Sequence, residues 1–438
     1  MLDFKFTLKK PTSGRFFEGI SSYYIFSAIS IFLLMSNLNA MEPSSSTLTI
    51  KEAIIKSLKQ HPGLASFAYR VQSSDHNIAQ AAIGQKPEVS LVIEDALGTG
   101  DYSDFGNAQS TLSISWILDG GLVNSRVQQY KHKKALTEIE LDIKRYDVAA
   151  ETAHQFITIL ALQDRFKIAK EAHLHSKKIL KEITHRVNSG KALVAEQLRA
   201  EVNLERRELE VEDIAHELIS AKKILSSSWG QSDIGFSSVS GSLNLPKNLI
   251  DYSEFEQAIS SNPKVRYFLT QQRLTEGEIS LAREEGKNRF RFNAGVSRYE
   301  RTEDYGLTMG ITLPFGGNNN QGKISSLNAD KSRYQTESTA YEIQLLTQVF
   351  VLYQELMHSY HVSNSLTHKI IPRLEKALKE TYKAYQLGKY SYQEWSSVQQ
   401  EVYDAQFSLI DARLTAHKNT VELERLTGLA MQNYKNAQ

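Results

Sequence analysis

The chain contains an internal duplication, and this feature constrains its fold more than any other. One segment opens at Gly190 and ends 40 residues later at Gly230, and another opens at Gly388 and ends 40 residues later at Gly428. The two segments are offset by 198 residues, and both glycine pairs enclose similar apolar spacing. At that offset the equivalent positions are Glu196 and Glu394, Leu204 and Val402, Val211 and Leu409, Ile214 and Ala412, and Leu218 and Ala416. The sequence therefore predicts two tandem repeats, 41–240 and 241–438.

The N-terminal 40 residues have the pattern of a secretory signal peptide. Lys9, Lys10 and Arg15 precede an apolar run at 23–35, and small residues lead up to Ala40. We predict cleavage near Ala40, with an uncleaved anchor as the alternative. The chain has no cysteine, which excludes disulfides and a lipid anchor on an N-terminal cysteine. No later segment is apolar over the length of a membrane-spanning helix.

Each repeat is predicted to open with a short helix, around 49–84 in the first and 251–286 in the second. Two segments then follow that alternate between apolar and polar residues at period two. They lie at about 88–97 and 109–118 in the first repeat, and at about 290–299 and 305–314 in the second. Such segments fit a transmembrane β-barrel with a polar lumen, or a soluble sheet with one buried face. Four strands cannot close a membrane barrel, which needs about eight. A barrel location would therefore require several chains to share one barrel.

Long helices are predicted to follow the strands. Residues 88–245 contain no proline, and a helix over 124–187 would be about 95 Å long. Apolar residues recur at spacings of three and four, as in coiled coils. These seams are Leu136, Ile139, Ile143, Tyr146, Ala150, Ala153, Ile157 and Leu160 in the first repeat, and Ile343, Leu346, Phe350, Tyr353, Met357 and Tyr360 in the second. Pro372 is expected to kink or break the second long helix.

Together these features resemble the outer-membrane efflux protein family, the TolC-like exit ducts. The resemblance is carried by the duplication, the strand–Gly-Gly–helix junctions at Gly120-Gly121 and Gly316-Gly317, and the two hairpin tips that begin at Gly190-Lys191 and Gly388-Lys389. It covers about residues 47–430. The stretches 94–121 and 313–324 look most like the metal-cation branch, the CzcC-like and CusC-like ducts.

The resemblance implies a mainly α fold with a small β part. Long antiparallel helical hairpins would form an α-barrel tunnel, and four β-strands per chain would contribute to a shared β-barrel of a homotrimer. The protein would sit in the outer membrane, in contact with its lipid, with most of the chain in the periplasm. Its expected partners are a periplasmic adaptor protein and an inner-membrane pump of the RND type. The expected function is passive export from periplasm to exterior, with metal cations as a candidate cargo.

Several residues near the tips are candidates for functional roles. The resemblance places Glu196 and Glu394, six positions after the tip glycines, at the channel constriction, where carboxylates from several copies would form cation-favouring rings. A reversal between antiparallel helices often needs positive φ, which points to glycine at 190 and 388. The neighbouring residues are candidate adaptor contacts: Lys191, Leu193, Lys389 and Ser391.

No motif of an enzyme, of a resident cofactor or of nucleic-acid binding is present in the sequence. The net charge is +1, and His173 and His175, two apart on a helix, face different directions and make a poor metal site. Two alternatives to metal export remain at this stage. One is a drug-efflux or type I secretion duct of the same fold, and the other is a periplasmic coiled-coil scaffold without a pore.

Overall fold

A computed structural model describes residues 47–246, 249–316 and 320–429. The predicted signal peptide lies outside the described residues. In these residues nine α-helices, one π-helical turn and six strands follow one another in an order that repeats. Their bounds are β1 Thr47–Thr49, α1 Ile50–Gln60, α2 Pro62–Ala81, β2 Glu88–Glu94, β3 Gln109–Ile117, α3 Gly120–Asn188, α4 Val194–Ser227, β4 Ser238–Ser240, α5 Tyr252–Ala258, α6 Pro263–Glu285, β5 Arg291–Tyr299, β6 Asp304–Thr312, α7 Gln321–Ser365, a π-helical turn Leu366–Ile370, α8 Ile371–Gln386 and α9 Tyr392–Thr427. The described part of the chain is thus mainly α with a small β part, as predicted.

The segments that open the two repeats are each divided by a proline. The sequence predicted one short helix around 49–84 and another around 251–286, but each is broken at an X-Pro pair. His61 caps α2 by accepting a hydrogen bond from Gly63 N at 3.0 Å, and Asn262 caps α6 by accepting one from Lys264 N at 2.7 Å. The residue before proline avoids helical backbone angles, so each proline starts a new helix instead of continuing the previous one.

Four of the strands form one antiparallel sheet in the order β2-β3-β5-β6. The pairing joins the two repeats, because β3 of the first lies beside β5 of the second. Its register places Leu91, Leu112, Val296 and Leu307 in one row across the sheet. The next row on the opposite face holds Ser90, Ser113, Gly295 and Thr308. The predicted alternation therefore continues across all four strands as two chemically different faces.

The long helix α3 exceeds the predicted bounds, with 69 residues and a length of about 100 Å. It packs against α4 over part of its length, where Ala169 of α3 and Ile214 of α4 belong to one buried cluster. None of the described helices has a stretch both long and apolar enough to cross a bilayer.

The predicted seam of the second long helix is only partly right. Leu346, Tyr353 and Tyr360 pack against a buried cluster, as predicted. Ile343 is 61% exposed and Phe350 is 49% exposed, whereas α7 buries Leu345, Val349 and Leu356. These three contact Phe255 and Leu423 in one core cluster. The contacts of α7 with α5 and α9 therefore bury most deeply residues that the sequence pattern did not include, next to part of the predicted seam.

The helix break near Pro372 is as expected. The last α-helical residue of α7 is Ser365, a π-helical turn follows, and Pro372 lies in the first turn of α8. Proline has no N–H to donate, and the first turn of a helix is where that donor is not needed.

Candidate functional site: the hairpin tips and the strand sheet

Both helical hairpins reverse at a glycine in the left-handed backbone conformation. Gly190 and Gly388 each have φ of 71°. The residue after each glycine donates a backbone hydrogen bond across the helix end, from Lys191 N to Arg186 O at 2.8 Å and from Lys389 N to Ala384 O at 2.9 Å. This six-to-one bond is the Schellman closure of a helix. The predicted positive φ at both tips is confirmed.

The returning helices begin differently in the two repeats. In the second, Ser391 is the N-cap of α9, and Glu394 completes a capping box: the Glu394 carboxylate accepts from Ser391 N at 2.7 Å and from Ser391 Oγ at 2.9 Å. In the first, Leu193 stands at the N-cap of α4 and makes no side-chain cap. Glu394 and Ser391 therefore stabilise the start of α9, in addition to any role proposed from the sequence.

Glu196 occupies the third helical position of α4, equivalent to Glu394 in α9. Its half-buried carboxylate faces the second hairpin, with Oε1 3.5 Å from Tyr392 N. Glu394 is instead exposed and turned onto its own helix end. The two glutamates are thus equivalent in sequence but differ in surroundings.

An aromatic cluster joins the two hairpins just above their tips. Trp395 stacks on Tyr385 at 5.1 Å and lies 4.8 Å from Tyr382, measured between ring centroids. Ile183 and Ala200 of the first hairpin pack on the same cluster. Burial raises the pKa of Tyr385 and of Tyr392, so both stay neutral over the physiological range. Sequence reasoning missed this cluster, although the density of aromatic residues between 382 and 395 was a visible signal.

Polar bonds connect the hairpins on either side of these rings. On one side, the Tyr382 hydroxyl donates to Glu182 at 3.1 Å. On the other, buried Arg207 of α4 donates to Glu210 at 2.7 Å and to Gln400 of α9, with its guanidinium 4.8 Å above the Tyr403 ring. The two terminal nitrogens of Arg207 are thus both hydrogen-bonded, and the bond to Gln400 links α4 to α9.

The outermost tip residues are exposed. Leu193 is 70% exposed and Leu387 is 71% exposed, and Lys191 and Lys389 beside them are also solvent-accessible. Exposed leucines at two adjacent reversals, flanked by lysines, form a small amphipathic surface. A surface of this kind suits contact with another protein.

The apolar face of the four-stranded sheet is also exposed. Leu307 is 78% and Met309 is 80% exposed, while Ser297 on the other face is fully buried. The polar face is linked by hydroxyls: Ser297 Oγ lies 2.9 Å from Thr111 Oγ1 and 3.1 Å from Thr308 Oγ1. Outside a membrane, so continuous an exposed apolar face would be unfavourable.

Metal-ligating side chains do not converge in the described ranges, where no group of three or more His, Asp or Glu residues could hold an ion. His175 Nδ1 lies 3.4 Å from the Tyr403 hydroxyl, whereas His173 Nδ1 is buried without a partner in the described chain. The two histidines are therefore in separate surroundings.

Comparison with known proteins gives a consistent result. Residues 53–231 match the family model described as outer membrane efflux protein. The cobalt-zinc-cadmium resistance protein CzcC of Cupriavidus metallidurans is 20% identical over 382 residues, which cover 87% of this chain and 90% of CzcC. The fold is similar to that of CusC, with a TM-score of 0.69 at 14% identity over 86% of this chain and 91% of CusC. It is also similar to the outer-membrane channel OprN, with a TM-score of 0.71 at 13% identity over 86% and 89% of the two chains. The resemblance inferred from the sequence is confirmed.

Proposed function

From its similarity to the outer membrane efflux proteins in both sequence and fold, we propose that this chain is the outer-membrane duct of a tripartite export system. It conducts its cargo passively from the periplasm to the exterior and performs no enzymatic chemistry. A periplasmic adaptor and an inner-membrane pump complete the system, and the pump supplies the energy. We further propose that the pump is of the RND type.

The observation that carries this proposal is the sheet with one exposed apolar face and one hydroxyl-lined face. In a bilayer the apolar rows would contact lipid, and the polar rows would face water in a lumen. Aromatic side chains lie at both ends of the apolar face: Trp116 and Phe292 near the helices, and Tyr305 near the loops. Aromatic residues at both interfaces are typical of membrane barrels.

Three copies of the chain are proposed to close the barrel. In the described sheet, β2 and β6 are edge strands with a free side. Lipid cannot satisfy free backbone N–H and C=O groups, so each edge must pair with another strand. Pairing β6 of one copy with β2 of the next gives twelve strands in a trimer, the number expected from the resemblance. The two repeats, 41–240 and 241–438, would then give six similar units around the axis.

The tips are proposed to form the constriction and the adaptor contact. Three-fold symmetry would place three copies of Glu196 and three of Glu394 around the lower opening, where carboxylates attract cations. The exposed positions Lys191, Leu193 and Lys389 would contact the adaptor. Ser391 is assigned to the same surface, but its hydroxyl is already bonded to Glu394 as the helix cap.

The proposed cargo is a divalent metal cation. The support is the relative whose name describes cobalt, zinc and cadmium resistance. The test is to delete the gene and to measure the sensitivity of the cells to a panel of metals and a panel of drugs. Sensitivity to metals alone would support the cation, and sensitivity to drugs alone would favour a drug duct of the same fold.

Two measurements test the duct itself. The purified protein should run as a heat-modifiable trimer from the outer-membrane fraction, and it should give stepwise conductance in planar bilayers. A soluble protein without conductance would contradict the proposal and favour the periplasmic scaffold. Boiled protein serves as the negative control for conductance.

A further inference from the structure

A cavity of about 590 Å³ lies where the end of α7 meets the connection between the two repeats. Its wall is formed by residues 244–246 and 249 of that connection, by α7 with the π-helical turn that follows it, and by Arg413 of α9. The volume is in the range of small-molecule binding sites, about 300–1,000 Å³. No residue of this wall has a role in the duct as proposed above.

The polar part of the wall consists of groups that donate hydrogen bonds. Arg413, His361 and His368 line the cavity together with the side chains of Asn364 and Thr367. Among the described residues, no Asp or Glu lines it. A concave surface with a guanidinium, further donors and no carboxylate favours an anionic ligand over a cation.

The guanidinium of Arg413 has no protein partner in the described ranges. It makes neither an ion pair nor a hydrogen bond there, and its Nε is buried without an acceptor. Burial raises the pKa of Asp164, and the charge of Arg413 opposes this shift from beyond ion-pair distance. A buried donor without an acceptor is unfavourable, so Nε points to a partner that the described protein does not itself provide.

The remainder of the wall is apolar. Leu245, Leu249 and Tyr360 line the cavity and pack against the core cluster that contains Leu356. Burial raises the pKa of Tyr360, so its hydroxyl stays protonated at neutral pH and is able to donate a hydrogen bond. The cavity thus joins an apolar wall, which suits an organic group, with a basic wall, which suits an anion.

The position of the cavity along the chain excludes a lipid headgroup. Asn364 lies 43 residues after the start of α7 at Gln321, which corresponds to about 65 Å of helix. With the strand sheet in the outer membrane, as proposed above, the cavity is that far below the bilayer and beyond the reach of lipid phosphates. The ligand is therefore a soluble molecule of the periplasm.

We propose that this cavity binds a soluble organic phosphate. Its phosphate accepts hydrogen bonds from Arg413 and His361, and its organic group lies against Leu245 and Leu249. The two donors belong to different helices, α9 and α7, and so approach the ligand from different directions. A tetrahedral phosphate has acceptor oxygens in all directions, whereas a carboxylate accepts hydrogen bonds close to one plane.

A metal ion is the competing ligand. His368 Nδ1 lies 3.1 Å from the backbone oxygen of Asn364, an arrangement also found in metal-binding histidines, and Met357 adds a thioether to the wall. However, the described ranges contain no group of three or more His, Asp or Glu residues that could hold an ion, and the charge of Arg413 repels a cation. These two observations favour the anion.

Isothermal titration calorimetry of the full-length protein in a phosphate-free buffer tests the ligand class. The probes are phenyl phosphate, inorganic phosphate, benzoate and phenol, each titrated also into detergent alone. Phenyl phosphate should bind at least tenfold more tightly than inorganic phosphate or benzoate, and phenol, which has the ring without the anion, should not bind. No binding of phenyl phosphate at millimolar concentration, or equal binding of benzoate or phenol, would overturn the proposal.

Substitutions in the wall test the assigned residues. Arg413→Gln should weaken the binding of both phosphates at least tenfold. Arg373→Gln is the matched control, because this exposed guanidinium lies in α8 outside the cavity wall and donates to the backbone oxygen of Lys369. Leu249→Ala should remove the advantage of phenyl phosphate and leave the affinity for inorganic phosphate unchanged. Equal affinities in the two arginine variants would contradict the assignment.

The variant His361→Gln keeps the test independent of folding, because the side chain of His361 is exposed. It should bind phenyl phosphate at least threefold more weakly, and an unchanged affinity would show that His361 is not a donor to the ligand. Circular dichroism verifies that every variant is folded.

Zn²⁺ alone is the probe for the competing ligand and should not bind. Zinc binding that His361→Gln removes would replace the anion by a metal site. None of these titrations needs a conducting channel, so their outcome is separate from that of the proposed function. A conducting trimer that does not bind phenyl phosphate would overturn this inference and leave the duct in place.

Discussion

The indole of Trp395 stacks on the ring of Tyr385 with 5.1 Å between centroids and 23° between planes. Trp395 lies in α9 just after the second tip, and Tyr385 lies in α8 just before it. Side chains of the first hairpin complete the cluster. The contact joins the two helices of the second hairpin near its reversal, and Ile183 and Ala200 pack the same cluster against the first hairpin.

Truncation of this contact should loosen the tips. Trp395→Ala removes a large buried side chain, and we expect the free energy of unfolding of this region to fall by about 3–5 kcal/mol. Hydrogen exchange of the amides near both tips is the measurement. Leu387→Ala, at an exposed leucine, is the control and should leave exchange unchanged. Equal protection in the Trp395 variant and the control would show that the cluster does not hold the hairpins together.

The tip glycines should be sensitive to substitution for conformational reasons alone. A Cβ at Gly190 or Gly388 would meet no atom within 4 Å, yet φ is 71° at both. Gly→Ala at either site should therefore lower the free energy of unfolding by about 1 kcal/mol. The control is Gly120→Ala at the start of α3, where space is also open but φ is not positive, and where no loss is expected. Thermal unfolding of the three variants makes the comparison, and equal losses at all three would be inconsistent with backbone strain as the cause.

Two roles of Glu394, as a helix cap and as part of the proposed constriction, can be tested separately. Ser391→Ala removes the cap and should cost about 1 kcal/mol of stability, with little change in ion selectivity. Glu394→Gln retains a capping-box side chain but removes the charge, so it should keep stability and reduce cation selectivity. Thermal unfolding and reversal potentials in bilayers are the two readouts. An unchanged reversal potential in Glu394→Gln would leave this glutamate a helix cap only.

Two glutamates on the last helix should respond to pH in opposite ways. Burial raises the pKa of Glu424, so its stability contribution is present at low pH and is lost as pH rises through the raised value. Hydrogen bonding to Arg425 lowers the pKa of Glu422, so its contribution is present at neutral pH and is lost as pH falls. Glu424→Gln should therefore stabilise at pH 7 and have no effect well below pH 4.5, whereas Glu422→Gln should destabilise at pH 7. Denaturant titrations at both pH values are the test, and effects of the same sign at pH 7 would contradict this assignment.

A charged side chain on the apolar face of the four-stranded sheet should lower stability if that face contacts lipid. Met309→Lys places an ammonium on this face, and the expected loss is about 2–4 kcal/mol if the site lies at the bilayer midplane. Thr308→Lys, one residue away on the polar face, is the matched control and should be tolerated better. Urea unfolding in phospholipid vesicles compares the two variants. Similar losses in both would argue against a lipid-facing surface.

The sequence by itself determined the features that depend on local backbone physics. Alternation at period two predicted the four strands, and the equivalent glycines predicted the positive φ at both tips. Pro372 predicted the helix break, because proline lacks a backbone donor. The division at Pro62 and Pro263 had the same local cause and was readable from the X-Pro pairs, although the opening segments were predicted as single helices.

Only the tertiary structure decided which surfaces meet. The α7 helix carries two apolar stripes, and burial of Leu345 and Val349, with Ile343 exposed, depends on contacts with Phe255 and Leu423, which lie far away in sequence. Likewise, Arg207 is buried because it contacts two residues of the other repeat: it donates a hydrogen bond to Gln400 and lies over the ring of Tyr403. The spacing of apolar residues shows that a helix has an apolar side. When two sides of a helix are similarly apolar, the elements that pack against the helix determine which side is buried.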